Sequence, residues 1–162
     1  MNKPTLYIVC GIPGSGKSTF LKKIALPTEA IVSRDAIRYS FLKDDESYFK
    51  HEQKVVKVFY HTIAEFLKQG INVYADATHL TNMSRCKLLG ALNKYHLDFD
   101  IEIIFFNVPT YICIDRNNER KGRERVPTEA ILNMASNYEK PYHDYAKHLW
   151  IVNENQEVEK EW

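Results

Sequence analysis

Between positions 11 and 18 the chain reads Gly-Ile-Pro-Gly-Ser-Gly-Lys-Ser. Each residue type answers a need of a bound polyphosphate. Gly11, Gly14 and Gly16 let the backbone wrap tightly enough for its N–H groups to converge on phosphate oxygens, and Ile12, Pro13 and Ser15 complete the loop. Lys17 is placed to reach the β- and γ-phosphates of a nucleoside triphosphate such as ATP. The Ser18 hydroxyl is placed to meet the Mg²⁺ ion that neutralises charge between them. Thr19 follows as a helix residue at the edge of the cradle. A glycine-rich turn can match this pattern by chance. Here a β-prone run precedes it and helical character follows, which is the strand-to-helix context that aims a helix dipole at the phosphates.

Three further groups could serve a phosphoryl transfer. Asp76 closes an apolar run, where a carboxylate either orients metal or water beside the phosphates or simply caps a turn. The segment Ser33-Arg34-Asp35-Ala36-Ile37-Arg38 follows a second short strand. Asp35 can there act as general base for an attacking hydroxyl, with Arg38 one helical turn away to bind an anionic group on the acceptor. Spacing alone equally allows Asp35 to cap a helix and Arg38 to be a surface partner. Arg116, Arg120, Lys121, Arg123 and Arg125 crowd ten residues. Such a run is usually a solvated face. Ahead of a Val126-Pro127 break it also reads as a mobile lid, with Arg116 and Arg120 on one helix face facing developing phosphoryl charge.

The elements that must position these groups alternate along the chain. Strand runs are expected at Thr5 to Cys10, Ala30 to Ser33, Ile71 to Ala75, Phe99 to Val108 and His148 to Val152. Helices are expected at Lys17 to Ile24, about Ser47 to Lys68 with Gly70 ending it, about Thr81 to Tyr95, Thr110 to about Arg120, and from Pro127. This order specifies parallel βαβ units and hence a three-layer αβα sandwich around a central parallel sheet. The length of 162 residues suits a single domain over the whole chain. No apolar run approaches the roughly 20 residues of a membrane span. The amino end carries no signal-peptide pattern, so the expected compartment is the cytoplasm, without membrane association.

Composition narrows the partners. With 22 Lys and Arg against 21 Asp and Glu the net charge is +1, so a nucleic acid would have to be held locally rather than by a global field. The carboxyl tail, with Glu154, Glu157, Glu159 and Glu161, reads as a solvated end. Cys10, Cys86 and Cys113 are odd in number and widely spaced, which fits buried free thiols. His51, His61, Tyr138 and Tyr142 read as packing or surface residues, and His79, just after Asp76, has no assigned role.

Taken in order, Gly-Ile-Pro-Gly-Ser-Gly-Lys-Ser-Thr, Ser-Arg-Asp-Ala-Ile-Arg, Ala-Asp-Ala-Thr-His-Leu, Asn-Val-Pro-Thr, Asp-Arg-Asn-Asn-Glu-Arg and Arg-Val-Pro resemble the 5′-hydroxyl polynucleotide kinases of the bacteriophage end-repair type. The resemblance covers most of the chain. It implies a P-loop kinase fold with an arginine-bearing lid. It also implies that Asp35 activates the 5′-hydroxyl, that Arg38 holds the phosphate flanking the acceptor nucleoside, that Arg120 with Arg116 contacts the donor phosphates, and that Val126 and Pro127 abut the acceptor base. The chain departs from that pattern in two places: Lys121 lengthens the lid, and Ala77 stands where a hydroxyl residue is more typical. Asp98-Phe99-Asp100 has the spacing of a phosphatase motif, but it opens a strand and lacks the following Gly-Thr turn, so no phosphatase activity is expected. The leading expectation is γ-phosphoryl transfer from ATP with Mg²⁺ to the 5′-hydroxyl of DNA or RNA. A small-molecule kinase and a nucleotide switch with little turnover are the alternatives, and no protein partner is indicated.

Overall fold

The computed structural model describes residues 2–162. Five parallel strands and one antiparallel strand form a six-stranded sheet in the order β2-β3-β1-β4-β5-β6. The strands are β1 (Thr5–Cys10), β2 (Ala30–Ser33), β3 (Val73–Asp76), β4 (Asp100–Phe106), β5 (His148–Val152) and β6 (Val158–Lys160). The helices are α1 (Lys17–Ile24), α2 (Arg34–Phe41), α3 (Glu52–Lys68), α4 (Asn82–Asn93), α5 (Thr110–Asn118) and α6 (Thr128–Ser136). They flank the sheet, as parallel pairing requires, since each crossover must return over a face.

β1 lies between β3 and β4, and its side chains are accordingly buried on both faces: Leu6, Ile8, Val9 and Cys10 have no solvent exposure. Ser33, Asp76 and Val9 share one level of the sheet, so the carboxyl ends of β2, β3 and β1 open on the same rim. At this rim the chain leaves β1 toward β2 and leaves β3 toward β4, in opposite directions, making the kind of crevice in which open α/β sheets bind ligands. α3 covers one face with Val55, Phe59, Ile63 and Leu67, a stripe at four-residue spacing. Burying each large apolar chain there contributes about 1.5–3 kcal/mol. Gly70 closes α3 at φ +76°, a left-handed conformation suited to glycine.

Several expected boundaries shift. α3 begins at Glu52, not near Ser47, because residues 48–51 form turns in which Lys50 N–H donates to Ser47 O (3.0 Å) and Glu52 N–H to Phe49 O (3.2 Å). That turn wraps around the Arg38 side chain, which holds both Tyr48 and Glu52. α5 ends at Asn118, which leaves Arg120 beyond the regular helix. On α4 the buried stripe is Arg85, Leu88 and Leu92, while Met83 is 68% exposed.

The carboxyl tail is not a free solvated end. β6 pairs antiparallel with β5, and Trp162 packs on the core with its carbonyl accepting from Leu149 N–H at 2.9 Å. Cys10 and Cys113 are buried free thiols as expected, whereas Cys86 is exposed. Asp98 and Asp100 pair with Lys3 at the opening of β4, away from the carboxyl rim. No helix of the described residues is long and apolar enough to cross a membrane.

Candidate active site

The loop between β1 and α1 is tightened by its own backbone. Gly14 and Gly16 adopt φ +84° and +92°, and a Cβ on Gly14 would stand 2.2 Å from Cys113 O. Only glycine fits there. Ser15 N–H donates to Ile12 O at 3.2 Å, and Gly11 N–H donates to Thr78 O at 3.0 Å, lacing the loop to the segment after β3. No side chain caps the start of α1, whose first N–H groups therefore remain open to an anion. The Ser15 hydroxyl is buried without a hydrogen-bond partner among the described residues.

Lys17 Nζ bends back over this loop and donates to Gly11 O (2.9 Å) and Ile12 O (3.3 Å). Burial pushes its ammonium below the usual lysine range, and the Asp76 and Asp35 carboxylates oppose that shift. Ser18 Oγ donates to Asp76 Oδ2 at 3.0 Å. Asp76, 5% exposed, is raised above the ordinary carboxylate range by burial, against the pull of Lys17 and the Ser18 hydrogen bond. The Ser18 and Asp76 oxygens therefore lie together beside the phosphate cradle. Two protein oxygens of this hard-donor type fit a Mg²⁺ ion that takes its remaining ligands from phosphates and water.

Across the rim, α2 starts with Ser33 as its cap, whose Oγ accepts from Ala36 N–H at 3.1 Å. Asp35 is thus released from a capping role and instead accepts on Oδ1 from Arg38 Nη1 (2.5 Å) and from the Tyr48 hydroxyl (2.6 Å). Arg38, 5% exposed, also gives Nε and Nη2 to Glu52 at 2.8–3.0 Å and stacks over the Tyr48 ring at 4.3 Å. Burial works against its charge, but Glu52, Tyr48 and Asp35 together leave Arg38 raised. Asp35 stands near enough to the cradle for its charge to act on both Lys17 and Asp76.

The basic segment divides. Arg116 reaches under the loop, donating to Ser15 O (3.3 Å) and Gly14 O (3.5 Å), and ties it to Glu154 O at 2.8 Å. Arg120 is exposed, and its charge reaches Lys17. Arg123 lies over the Tyr39 ring of α2 at 4.9 Å and accepts from its hydroxyl through the backbone carbonyl at 3.3 Å. Val126 is pinned through both backbone groups by the buried Asn117 side chain (2.9 and 2.5 Å) and packs with Ile12, Cys113 and Ile131; Pro127 caps α6 and is exposed.

A second tier of residues carried no sequence signal of function. His79, at φ +40°, gives Nδ1–H to Val9 O at 2.7 Å, and burial lowers its pKa to about 3. Arg85 is fully buried and donates to Cys10 Sγ, Asn82 Oδ1, Leu80 O and Glu139 O, joining the base of the loop to the segments behind it. Its place at helical spacing from Leu88 and Leu92 was the one available hint. Tyr138, by contrast, is the packing residue expected, stacked on Phe105 at 4.4 Å.

The AAA domain family model matches residues 6–141, and the chain belongs to that family. Among solved structures, a chain of the Pnkp1/Rnl/Hen1 RNA repair complex is 27% identical with a TM-score of 0.72, over 85% of this chain and 44% of that one. This chain therefore spans less than half the length of that relative. A gluconokinase from Sinorhizobium meliloti is 20% identical with a TM-score of 0.62, over 97% of this chain and 86% of that one. Chaetomium thermophilum Kti12 in complex with ADP-AlF3 is 16% identical with a TM-score of 0.63, over 91% and 88%. The fold is that of a P-loop kinase, a nucleotide-binding architecture.

Proposed function

We propose that this member of the AAA domain family is an ATP-dependent polynucleotide kinase that phosphorylates the 5′-hydroxyl end of DNA or RNA, with its 162 residues acting as one kinase domain. The observation that carries the reading is Asp35. Its Oδ1 is fixed by Arg38 and Tyr48 while its charge bears on Lys17 across the rim. A switch that only binds nucleotide has no need of a second carboxylate held there. The likeness to a chain of an RNA repair complex supports a nucleic-acid acceptor.

In the proposed reaction Lys17 leaves the Gly11 and Ile12 carbonyls for the β- and γ-phosphates, which the loop 11–19 cradles. Ser18 and Asp76 would hold Mg²⁺, whose charge, when bound, offsets that of the phosphates. Asp35 takes the proton of the acceptor hydroxyl on Oδ2, which has no partner among the described residues. The acceptor oxygen bonds to the γ-phosphorus as the β–γ bridging bond breaks, and ADP leaves. Arg120 stabilises charge on the transferred group, with Arg116 holding the loop that carries it. Every nitrogen of the Arg38 guanidinium is engaged, so its role as clamp for the phosphate flanking the acceptor requires exchanging or sharing one of those contacts. Val126 and Pro127 border the acceptor base.

The test is transfer of labelled γ-phosphate from ATP with Mg²⁺ to a 5′-hydroxyl oligonucleotide and to the same strand already 5′-phosphorylated. Labelling of the first strand alone is expected. No labelling of either by a protein that binds ATP overturns the polynucleotide reading and leaves a small-molecule kinase or a nucleotide switch.

A further inference from the structure

A carboxylate that removes a proton must hold one orientation, yet the Asp35 side chain is 62% exposed and its helix is capped by a different residue. Its orientation has to come from neighbours. Arg38 supplies one contact to Oδ1, and the second comes from outside α2 altogether. Tyr48 lies in the turn that delays α3, and its hydroxyl donates to the same oxygen at 2.6 Å.

The Tyr48 ring is itself fixed from several sides. The Arg38 guanidinium lies over it at 4.3 Å, Phe49 meets it edge-on at 4.8 Å and 89°, and Tyr39 lies at 6.3 Å and 72°. A phenol with only two rotatable torsions to fix, packed this way, presents its O–H in one place. Burial, then Asp35 itself, raises the phenol above its ordinary range, so it remains a donor throughout the working range of an enzyme. With Arg38 and Tyr48 both on Oδ1, Oδ2 has no hydrogen-bond partner among the described residues.

We propose that Tyr48 is a positioning residue for phosphoryl transfer: its hydroxyl, with Arg38, locks Oδ1 of Asp35 so that Oδ2 is presented to the acceptor hydroxyl. This rests on the reading of Asp35 as the base. Tyr48 touches neither substrate in this scheme; besides Asp35 its hydroxyl meets Arg38, accepting from Nη1 at 2.6 Å. A displacement of about 1 Å in a reacting group can cost about a hundredfold in rate, so the loss of one of two anchors should be visible in kcat.

The experiment is a double-mutant cycle under single-turnover conditions with ATP and a 5′-hydroxyl oligonucleotide, using wild type, Tyr48→Phe, Asp35→Asn and Asp35→Asn/Tyr48→Phe. Tyr48→Phe keeps the ring and its packing and removes one acceptor from Arg38 Nη1, so its melting temperature should fall by no more than about 2–4 °C. The transfer rate should fall about tenfold, with the KM values for ATP and oligonucleotide within about twofold of wild type. In the Asp35→Asn background the same substitution should cost nothing further. A Tyr48→Phe rate equal to wild type overturns the proposal, as does a full additional tenfold loss on top of Asp35→Asn, which would mark Tyr48 as acting independently. If wild type labels the oligonucleotide but Asp35→Asn is fully active, the base assignment falls and this inference with it. If wild type labels no oligonucleotide, it is the polynucleotide reading itself that has failed.

Discussion

The two walls of the crevice are built on opposite principles. The donor wall, residues 11–18, is held by backbone: glycines at positive φ, loop carbonyls accepting from Lys17 and Arg116, and a neighbouring segment pinned by His79 and Arg85. The acceptor wall is held by side chains: Asp35, Arg38, Tyr48 and Glu52 satisfy one another above α2, partly in reach of solvent. A polyphosphate is the same in every turnover, so a wall moulded by backbone suits it. An acceptor must enter, be gripped and leave, which suits contacts that can be exchanged one at a time. Perturbing the first wall should therefore disable binding and folding together, whereas perturbing the second should change turnover and leave nucleotide binding alone.

The sharpest break of that contrast is Gly14→Ala. Positive φ at a non-glycine residue costs on the order of 1–3 kcal/mol, and the new Cβ also meets Cys113 O at 2.2 Å. ATP binding by calorimetry should become undetectable and the melting temperature should drop. Asp35→Asn comes next: transfer should fall about 10²–10⁴-fold while ATP affinity stays within about twofold, since only proton removal is lost. ATP affinity falling in step with transfer would erase the distinction between the walls. Glu52→Gln leaves Arg38 buried beside a neutral partner. Because Glu52 is itself 31% exposed, a stability loss of only about 1 kcal/mol in chemical denaturation is expected, with a several-fold fall in kcat and unchanged ATP binding.

The smallest effect at neutral pH lies behind the donor wall and grows only in acid. Burial holds the His79 pKa at about 3, whereas in the unfolded chain it titrates near 6.5. Between those values the unfolded state binds the extra proton, so the His79 contribution to stability is complete above about pH 6.5 and is lost as pH falls toward about 3. The loss reaches up to about 1.4 kcal/mol per pH unit. Asparagine tolerates the φ of +40° and keeps a donor for Val9 O. His79→Asn should therefore flatten the acid limb of stability against pH, measured by denaturant midpoints, without altering ATP binding at neutral pH.

The same contrast explains what could be read in advance. The donor wall is local in sequence: the spacing of Gly11, Gly14, Gly16, Lys17 and Ser18 is the geometry, and the flanking apolar run and helix give the sheet order its starting point. Asp76 was legible because strand ends are where parallel sheets gather side chains. The acceptor wall is local only in part. Asp35 and Arg38 share a helical turn, but Tyr48 comes from a turn that read as the start of a helix and Glu52 from the first residue of α3, so neither is joined to Asp35 by local spacing. Arg85 hid among apolar positions because its carbonyl partners lie up to 54 residues away. β6 escaped because its three residues are all exposed, with no alternation to betray a strand.

That last strand also bears on how the molecule behaves in company. A sheet presents unpaired N–H and C=O groups at both rims, and a long flat rim invites pairing with another chain. Here one rim is β2, four residues long, and the other is Val158-Glu159-Lys160, three residues that place opposite charges side by side. A foreign strand adding there would gain few hydrogen bonds and would have to accommodate the Glu159 and Lys160 side chains. The short charged rim thus guards against aggregation, and a protein shorn of residues 157–162 should expose β5, with Trp150 and Ile151, and precipitate at concentrations the full chain tolerates.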